Sequence, residues 1–287
     1  MKTKFKKHPT PKVSIILPVY NAEATISDCI NSIINQTFKE FELITMDDGS
    51  IDRSLEIIDK LAKLDNRIIV ITQKNVGLSK TLNKAIELSK GKYIARMDSD
   101  DISHIDRLKN QYEYLERNQD IDLISCNYQK FYEIENKKMV KLDCVNHPTE
   151  HSSISKLLCF CSPICHPGVF AKKTFFEDCR YSHKCIAEDH ELWFRGLAYK
   201  KKYANIDKSL ILYRISKNSL TKKNKILIRL TSLFMWTRNI PLSYELLSKD
   251  KFTKKKMIGI DNKINSILLL GIVISKVIKA IIKLTKI

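Results

Sequence analysis

Apolar and polar positions alternate in two rhythms through the first hundred residues. Runs of β-branched and apolar residues are separated by segments in which apolar residues recur every three or four positions, as at Ile26, Ile30, Ile33 and Ile34. Strands are predicted at 13–17, 41–46, 68–72 and 93–97, with helices through Ile34 and at 54–64 and 78–88. This order predicts βαβ units, and therefore an α/β fold whose mostly parallel sheet carries helices on both faces.

The pattern is less regular beyond residue 122. It predicts a strand at 123–126, a hairpin at 129–142 with a charged turn at 135–138, a helix at 188–199, strands at 203–205 and 210–214, and helices beyond Lys222. We expect one domain over 1–221, with a nucleotide-binding half at about 12–120 and an acceptor half at about 121–221. A basic helical extension is expected over 222–287.

The composition is that of a globular enzyme. The chain has 287 residues, of which 44% are hydrophobic and 29% are charged. The lysine-rich start leads into no long apolar run, so no secretory signal is visible and a cytoplasmic location is expected. The eight cysteines are then expected to be reduced.

Positive charge is concentrated at one end of the chain. Residues 1–198 carry 29 Lys and Arg against 28 Asp and Glu, whereas residues 199–287 carry 21 against 4. A nearly neutral body with a basic end indicates an anionic partner, either a membrane surface or nucleic acid. The basic region has no nucleic-acid-binding motif in which aromatic residues are interleaved with basic ones. A membrane surface is therefore the favoured partner.

The last residues predict a basic amphipathic helix. The charge-free run Ile264–Ser275 has 12 residues, whereas a membrane span needs about 20. On a helix, Lys276, Lys279, Lys283 and Lys286 share one face, opposite Ile274, Val277, Ile278 and Ile281. The pattern favours a helix lying at the inner face of the cytoplasmic membrane. The alternative is a helix packed on the domain or on a second subunit.

Polar residues cluster where the predicted strands end. Three segments lie there: Pro18–Asn21, Asp47–Ser50 and Asp98–Asp101. The carboxyl ends of parallel strands are where such sheets bind ligands. The sequence therefore predicts one donor site formed by these three loops.

Asp98 and Asp100 are candidate metal ligands. Magnesium is typically held by one or two carboxylates together with substrate phosphates and water. The alternative is a solvated acidic turn, with Ser103 as N-cap of a helix at 104–117.

Two further acidic pairs have both structural and functional interpretations. Asp47 and Asp48 precede Gly49, so they can form a tight turn, or a carboxylate there can bind a nucleobase or ribose. Glu188 and Asp189 can stabilise the start of a helix, or one of them can act as a general base.

Two other sets of residues, the cysteines before His166 and Trp193, are better explained by structural roles. Cys159, Cys161 and Cys165 precede His166, but their spacing is not that of a standard zinc site, so buried thiols are preferred. Trp193 is expected to be in the core, although it could also contact the acceptor.

In combination, these motifs resemble the family 2 glycosyltransferases, which are inverting enzymes with the GT-A fold. The resemblance covers about residues 12–215 and is greatest over Gly91–Asp101, with Arg107 and Gln111 beyond. The segment Gly91–Asp101 is similar to the subgroup that builds amylovoran-like exopolysaccharide, capsule and lipooligosaccharide. The other matching segments are Val13–Asn21, Asp47–Ser50, Asn75–Gly77, Leu82–Asn83, His166–Gly168, Ala187–Trp193 and Leu212–Arg214. Lys80 departs from the pattern, since it lies near where arginine is usual.

The resemblance implies a role for each matching residue. Asp189 is the catalytic base, and Asp98 and Asp100 hold Mg²⁺ or Mn²⁺. The donor, a nucleotide sugar and most simply a UDP-sugar, is bound by Pro18, Tyr20, Asn21, Asp48, Asn75, Gly77, Arg96, Asp98 and Ser99. Contacts to the acceptor or the diphosphate are implied for His166, Glu188, Trp193 and Arg214.

The implied function is transfer of a sugar to a hydroxyl of a bacterial cell-surface glycan precursor, free or lipid-linked. The alternatives are a catalytically inactive relative, or a protein that binds an anionic surface or nucleic acid. The intact acidic residues at 48, 98, 100 and 189 favour the enzyme.

Overall fold

The computed structural model describes residues 10–134, 138–158, 161–183 and 187–215. Within these ranges, nine strands form one mixed sheet covered by seven α-helices. The strands are β1 (Val13–Val19), β2 (Phe41–Asp47), β3 (Ile68–Thr72), β4 (Tyr93–Arg96), β5 (Ile102–Ser103), β6 (Leu123–Glu133), β7 (Met139–Val145), β8 (Phe170–Lys172) and β9 (Tyr203–Arg214). The helices are α1 (Ile26–Ile34), α2 (Ser54–Ala62), α3 (Leu78–Leu88), α4 (Arg107–Arg117), α5 (His151–Leu157), α6 (Lys173–Asp178) and α7 (Glu188–Ala198), and a short 3-10 helix spans His166–Gly168.

The sheet has the order β3-β2-β1-β4-β8-β6-β9-β5, with β7 paired to β6. The four strands β1 to β4 pair in parallel, as the βαβ pattern predicts. The second half is mixed, because β8 runs antiparallel to both β4 and β6, while β6 and β9 are parallel. This arrangement is the expected α/β fold.

Helices cover both faces of the sheet, and strand alternation decides which core each side chain joins. In β1, Val13, Ile15 and Leu17 pack in the core formed with α1, α2 and α4. Ile16 points to the other face and joins the core formed with α3, α5, α6 and α7. Successive side chains of a strand face opposite sides, so one apolar run contributes to both cores.

Pro18 lies inside β1, one residue beyond the predicted end of that strand. The pairing of β1 with β4 ends at Ile16, opposite Arg96, whereas the pairing with β2 continues to Val19. Pro18 has no N–H to donate toward β4. The two strands therefore separate where the candidate site begins.

Three predictions for the chain after β4 are wrong in detail. The strand expected at 123–126 and the first strand of the hairpin expected at 129–142 are one strand, β6. The strands expected at 203–205 and 210–214 are one strand, β9, whose register against β6 shifts around the exposed pair Asp207 and Lys208. Ser103 does not cap a helix, since it pairs with Ile211 in β5 and α4 begins only at Arg107. Its local sequence suited a cap, but long-range strand pairing prevails.

No helix among the described residues is long and apolar enough to cross a membrane. The expected extension 222–287, the domain boundary at 221, and most of the charged turn predicted at 135–138 lie outside the described ranges.

Candidate active site

The loops after β1 and β2 are joined by hydrogen bonds. Asn21, whose φ is +50°, donates its backbone N–H to Ser50 Oγ (3.0 Å), and its Oδ1 accepts the N–H of Ile51 (2.9 Å). The Glu23 N–H likewise donates to Asp52 Oδ2 (3.0 Å), and Glu23 Oε2 accepts the N–H of Arg53 (3.0 Å). The Asn21 side chain is therefore already engaged in holding the two loops together.

Two expected donor residues lie beside this pair of loops. Pro18 is buried in β1. Tyr20 is 51% exposed, so its ring is free to contact a ligand.

Asp48 is buried under the loop after β3. Its Oδ1 accepts hydrogen bonds from Gln73 Nε2 (2.8 Å) and the Val76 N–H (3.0 Å), and its Oδ2 accepts one from the Gly77 N–H (2.9 Å). Burial alone would raise the pKa of Asp48, but these hydrogen bonds lower it below its usual value. Oδ2 accepts one of these three hydrogen bonds and Oδ1 accepts two, so Oδ2 is the oxygen with fewer partners.

Gly77 and Asn75 complete this loop. Gly77 has φ +88°, a conformation that residues with a side chain rarely adopt, and it directs its N–H at Asp48. Asn75 is exposed. The tight turn is therefore part of what holds the Asp48 carboxylate in place.

Three carboxylates meet in the loop after β4, here called the acidic loop (98–101). One oxygen from each of Asp98, Asp100 and Asp101 lies within 4.8 Å of the others. Asp101 is 1% exposed, and its Oδ2 is buried with no hydrogen-bond partner in the described residues. Burial and the charge of Asp98 raise the pKa of Asp100 to about 6, and burial with the charges of Asp98 and Asp100 raises the pKa of Asp101 well above its usual value. Such a cluster is stabilised by a bound cation.

Two buried arginines hold the acidic loop. Arg96, at the end of β4, forms an ion pair with Asp98. Arg214, at the end of β9, donates from Nε to the Asp100 carbonyl oxygen (2.7 Å), and its backbone N–H donates to Asp101 Oδ1 (2.8 Å). Arg96 Nε and Arg214 Nη2 are buried without partners in the described part of the chain. Arg214 thus lies against the acidic loop, and its Nη2 has no acceptor among the described residues.

The acidic loop is also anchored through its backbone. Thr25 Oγ1 donates to the Ser99 carbonyl oxygen (3.0 Å), and Cys29 Sγ lies 3.1 Å from the Asp98 carbonyl oxygen. Ser99 is therefore held beside the loop after β1. The residues expected to bind the sugar donor, at the carboxyl ends of β1 and β4, therefore lie at one edge of the sheet.

Arg107 and Gln111, on α4, are buried in structural roles. Arg107 Nη2 donates to the carbonyl oxygen of Arg96 (2.6 Å), and its Nε donates to Gln111 Oε1 (3.0 Å). Gln111 Nε2 then donates to the carbonyl oxygen of Gly168 (2.7 Å). These bonds fix the end of β4 relative to the 3-10 helix that carries His166.

His166 lies between β4 and α7. Its Nε2 is 2.9 Å from the Tyr181 hydroxyl, and its ring packs edge-on against Trp193 at 5.9 Å between centroids. Burial and the positive charge of Arg96 lower the pKa of His166 well below its usual value. The imidazole is therefore neutral near pH 7.

Glu188 and Asp189 begin α7, and both side chains are partly buried. Burial and the negative charge of Asp189 raise the pKa of Glu188 to about 7. Glu188 also interacts with the charges of Arg96 and Asp98. The pair expected to supply the base therefore lies near residues expected to bind the sugar donor, since the charges of Arg96 and Asp98 act on Glu188.

Trp193 is a core residue, as the structural interpretation expected. Its side chain is fully buried and packs against Phe175 and Tyr181. It cannot present an open ring to an acceptor in this conformation. Its influence on the site passes through His166, which it supports.

Asp101 and Tyr181 are site residues that the sequence analysis did not assign. Asp101 was visible as the fourth residue of the acidic loop, but only the structure reveals its buried oxygen beside Asp98 and Asp100. Tyr181 belongs to none of the motifs.

The described residues give no support to the zinc hypothesis. Cys165 is buried, and Cys161 is exposed. Cys159 lies outside the described residues. The only metal-competent cluster within the described ranges is the acidic loop.

Comparison with known proteins identifies the family. The profile described as "Glycosyl transferase family 2" matches residues 14–179. An uncharacterized glycosyltransferase of Methanocaldococcus jannaschii is 32% identical over 224 residues, covering 75% of this chain and 76% of the relative. The chain belongs to glycosyl transferase family 2.

Solved structures agree on the fold. S. aureus TarS 1–349 in complex with UDP-GlcNAc has a TM-score of 0.61 at 17% identity, covering 91% of this chain and 79% of that one. The mannosyltransferase PcManGT of Pyrobaculum calidifontis, in complex with GDP-Man and Mn²⁺, has a TM-score of 0.63 at 12% identity, covering 96% and 88%. The architecture is therefore the GT-A fold.

Proposed function

We propose that this glycosyltransferase transfers a sugar from a nucleotide diphosphate donor, most simply a UDP-sugar, to a hydroxyl of a cell-surface glycan precursor, with inversion. The precursor class is a lipooligosaccharide, capsule or exopolysaccharide intermediate. The observation that carries the proposal is the acidic loop with Arg96, since the charges of Arg96 and Asp98 act on Glu188. The nucleotide sugars bound to TarS and PcManGT support a donor of this kind.

A divalent ion fits the acidic loop. Asp98, Asp100 and Asp101 would hold Mg²⁺ or Mn²⁺, and the unpartnered Oδ2 of Asp101 is the oxygen that lacks a ligand. When bound, the ion neutralises negative charge on the diphosphate. The Mn²⁺ bound to PcManGT is consistent with this assignment.

The donor is assigned to the loops at the carboxyl ends of β1 to β4. Pro18, Tyr20 and Asn21 border the nucleotide pocket in this proposal, with the loop 75–77 beside them. Asp48 is assigned to accept an N–H of the base, which a uracil imide provides, at Oδ2, the carboxylate oxygen with fewer partners. Arg96, Asp98 and Ser99 face the ribose or the sugar.

Asp189 is assigned as the base that takes the proton of the acceptor hydroxyl. The hydroxyl attacks a sugar carbon with oxocarbenium-like character on the face opposite the leaving group. One displacement inverts the configuration, so an α-linked donor gives a β-linked product. His166, Glu188 and Arg214 are assigned to contacts with the acceptor or the diphosphate.

The test is a donor-hydrolysis screen, because it needs no acceptor. The full chain is incubated with UDP- and GDP-sugars, including UDP-N-acetylglucosamine, UDP-galactose and UDP-glucose, with Mg²⁺ or Mn²⁺ and then with excess chelator. We expect metal-dependent release of one nucleoside diphosphate. Absence of hydrolysis and of nucleotide binding across the screen would favour the inactive or surface-binding alternatives. Hydrolysis that persists in chelator would contradict the metal assignment.

We also propose that the basic C-terminal residues hold the protein at the inner face of the cytoplasmic membrane. The support is the excess of 21 Lys and Arg over 4 Asp and Glu beyond residue 198, together with the lysine face at 276–286. The test is co-sedimentation with anionic vesicles, comparing the full chain with a truncation ending at Asp261. We expect the truncation to lose most binding. Equal binding by both, or binding by neither, would exclude this segment as the anchor.

A further inference from the structure

Tyr181 is enclosed between the donor side and the base side of the site. It is 3% exposed, and its hydroxyl lies 2.9 Å from His166 Nε2. Charges on both sides act on its phenol, from Arg96 and from Glu188 and Asp189. The Tyr181 hydroxyl is therefore placed to control one nearby group, the His166 imidazole.

The position of Tyr181 is set by α3 rather than by His166. Its backbone N–H donates to Asn83 Oδ1 (3.0 Å), and its carbonyl oxygen accepts from Asn83 Nδ2 (2.9 Å). Its ring stacks on Phe176 at 6.1 Å between centroids. Because the backbone is held twice and the ring is enclosed, the hydroxyl presents a fixed group to the imidazole.

The contact determines where the imidazole hydrogen lies. Burial raises the pKa of Tyr181 and lowers that of His166, so both groups are neutral near pH 7. Within the described residues, the phenol has no hydrogen-bonding partner other than His166 Nε2. A neutral ring with its single hydrogen on Nδ1 is the tautomer that lets the phenol O–H donate to Nε2, its one acceptor among the described residues.

We propose that Tyr181 is a positioning residue that holds His166 in the Nδ1–H tautomer, so that the imidazole offers an N–H donor to an anionic oxygen of the bound nucleotide sugar beside Arg96. The last part rests on the proposed function. Arg96 lies near enough for its charge to act on the His166 imidazole, and Arg96 Nε has no partner in the described residues. The proposal assigns both N–H donors, one from β4 and one from the 3-10 helix, to that oxygen. An Nδ1–H donor and a guanidinium suit a diphosphate better than an apolar ligand.

The first test reads the tautomer directly. Long-range ¹H–¹⁵N spectra of the ¹⁵N-labelled full chain at about pH 7.5 distinguish protonated from bare ring nitrogens. His166→Gln assigns the signal by its loss. We expect a protonated Nδ1 and a bare Nε2 in the wild type, and a mixture of tautomers in Tyr181→Phe. A protonated Nε2 in the wild type, or an unchanged tautomer in Tyr181→Phe, would overturn the proposal.

The chain offers a matched control in Tyr203→Phe. Tyr203 is as buried as Tyr181, belongs to the same aromatic cluster, and donates its hydroxyl to the Trp193 carbonyl oxygen (2.7 Å). Its substitution removes one hydroxyl from the same core and should leave the His166 tautomer unchanged. A change equal to that in Tyr181→Phe would show that loosened packing, not the contact with Nε2, sets the tautomer.

The second test measures turnover and nucleotide binding. We expect Tyr181→Phe to lower the donor-hydrolysis kcat/KM about tenfold, the scale of one hydrogen bond, with part of that loss measured as weaker UDP binding in Mg²⁺. Tyr203→Phe should retain the rate, and an equal loss in both variants would contradict a positioning role. A wild-type chain that binds none of the screened nucleotides would contradict the proposed function, whereas the tautomer tests the positioning role of Tyr181 independently of any nucleotide.

Discussion

Polar atoms are hydrogen-bonded differently in two regions of the site, the loops after β1, β2 and β3 and the acidic loop. After β1, β2 and β3, Asn21 and Asp48 are satisfied by hydrogen bonds to neighbouring loops. Around the acidic loop, Asp101 Oδ2, Arg96 Nε and Arg214 Nη2 are buried without partners in the described part of the chain. Buried polar atoms are rarely left in that state. The first region is a preformed cradle, whereas the unpartnered atoms of the second are consistent with the ligand proposed above.

The largest effect should follow from changing the acidic loop. Asp100→Asn removes a charge from a cluster assigned to a divalent ion, so we expect metal-dependent donor hydrolysis to be lost. The measurement is turnover across a range of Mn²⁺ concentrations. Asp106→Asn, at the start of α4 outside the cluster, is the control and should retain activity. Full activity of Asp100→Asn would mean that the ion, if required, is held without this carboxylate.

Loss of the assigned base should be the next largest effect. We expect Asp189→Asn to lower the kcat of transfer by about 10² to 10⁴ while nucleotide binding is retained, because only proton removal is affected. Single-turnover transfer and UDP calorimetry separate these two quantities. Glu188→Gln is the informative neighbour, since its side chain lies one residue away on α7. A severe loss there with a mild loss at Asp189 would move the assignment to Glu188.

The preformed cradle should respond more mildly, and mainly in binding. Asp48→Asn replaces an acceptor with an amide that must turn its NH₂ toward a donor from Gln73, Val76 or Gly77. We expect UDP affinity to fall about tenfold, since one buried polar mismatch costs on the order of 1–3 kcal/mol. Calorimetry with UDP and Mg²⁺ gives the value. Gln73→Ala removes one donor only and should cost less, so the reverse order would contradict the cradle.

The smallest effect is on stability, and it depends on pH. The pKa of Glu188 rises from 4.5 to about 7 on folding, so stability is lost as pH rises through that window. Glu188→Gln removes this loss, and we expect a gain on the order of 1–3 kcal/mol at about pH 8 and none at about pH 4.

Urea unfolding at both pH values measures the effect of Glu188→Gln. Glu191→Gln is the control, because Glu191 pairs with Arg195 on the same helix and its loss should not stabilise the protein. A gain of equal size at both pH values would rule out the ionised carboxylate as the cause.

The same comparison explains what could be predicted from sequence. The strands and helices of the first hundred residues follow local periodicity, so their positions were predicted almost to the residue. Tyr181 could not be found this way, because its role depends on Asn83, nearly one hundred positions earlier, and on His166. Asp101 was hidden for a different reason: burial, not residue type, distinguishes it from Asp98 and Asp100. Local patterns reveal loops, whereas long-range packing reveals which atoms remain unpaired.

The place of β8 in the sheet has a consequence for handling the protein. β8 comes from the second half of the chain, yet it pairs with β4 and covers what would otherwise be an open edge. Arg107 also needs the carbonyl oxygen of Val169, which lies next to β8 in the sequence. A fragment ending near residue 120 would expose an apolar strand edge and a buried arginine without that acceptor. Exposed edges of this kind promote aggregation. We therefore expect such a fragment to be insoluble, whereas a chain that extends through β9 should fold as one cooperative unit.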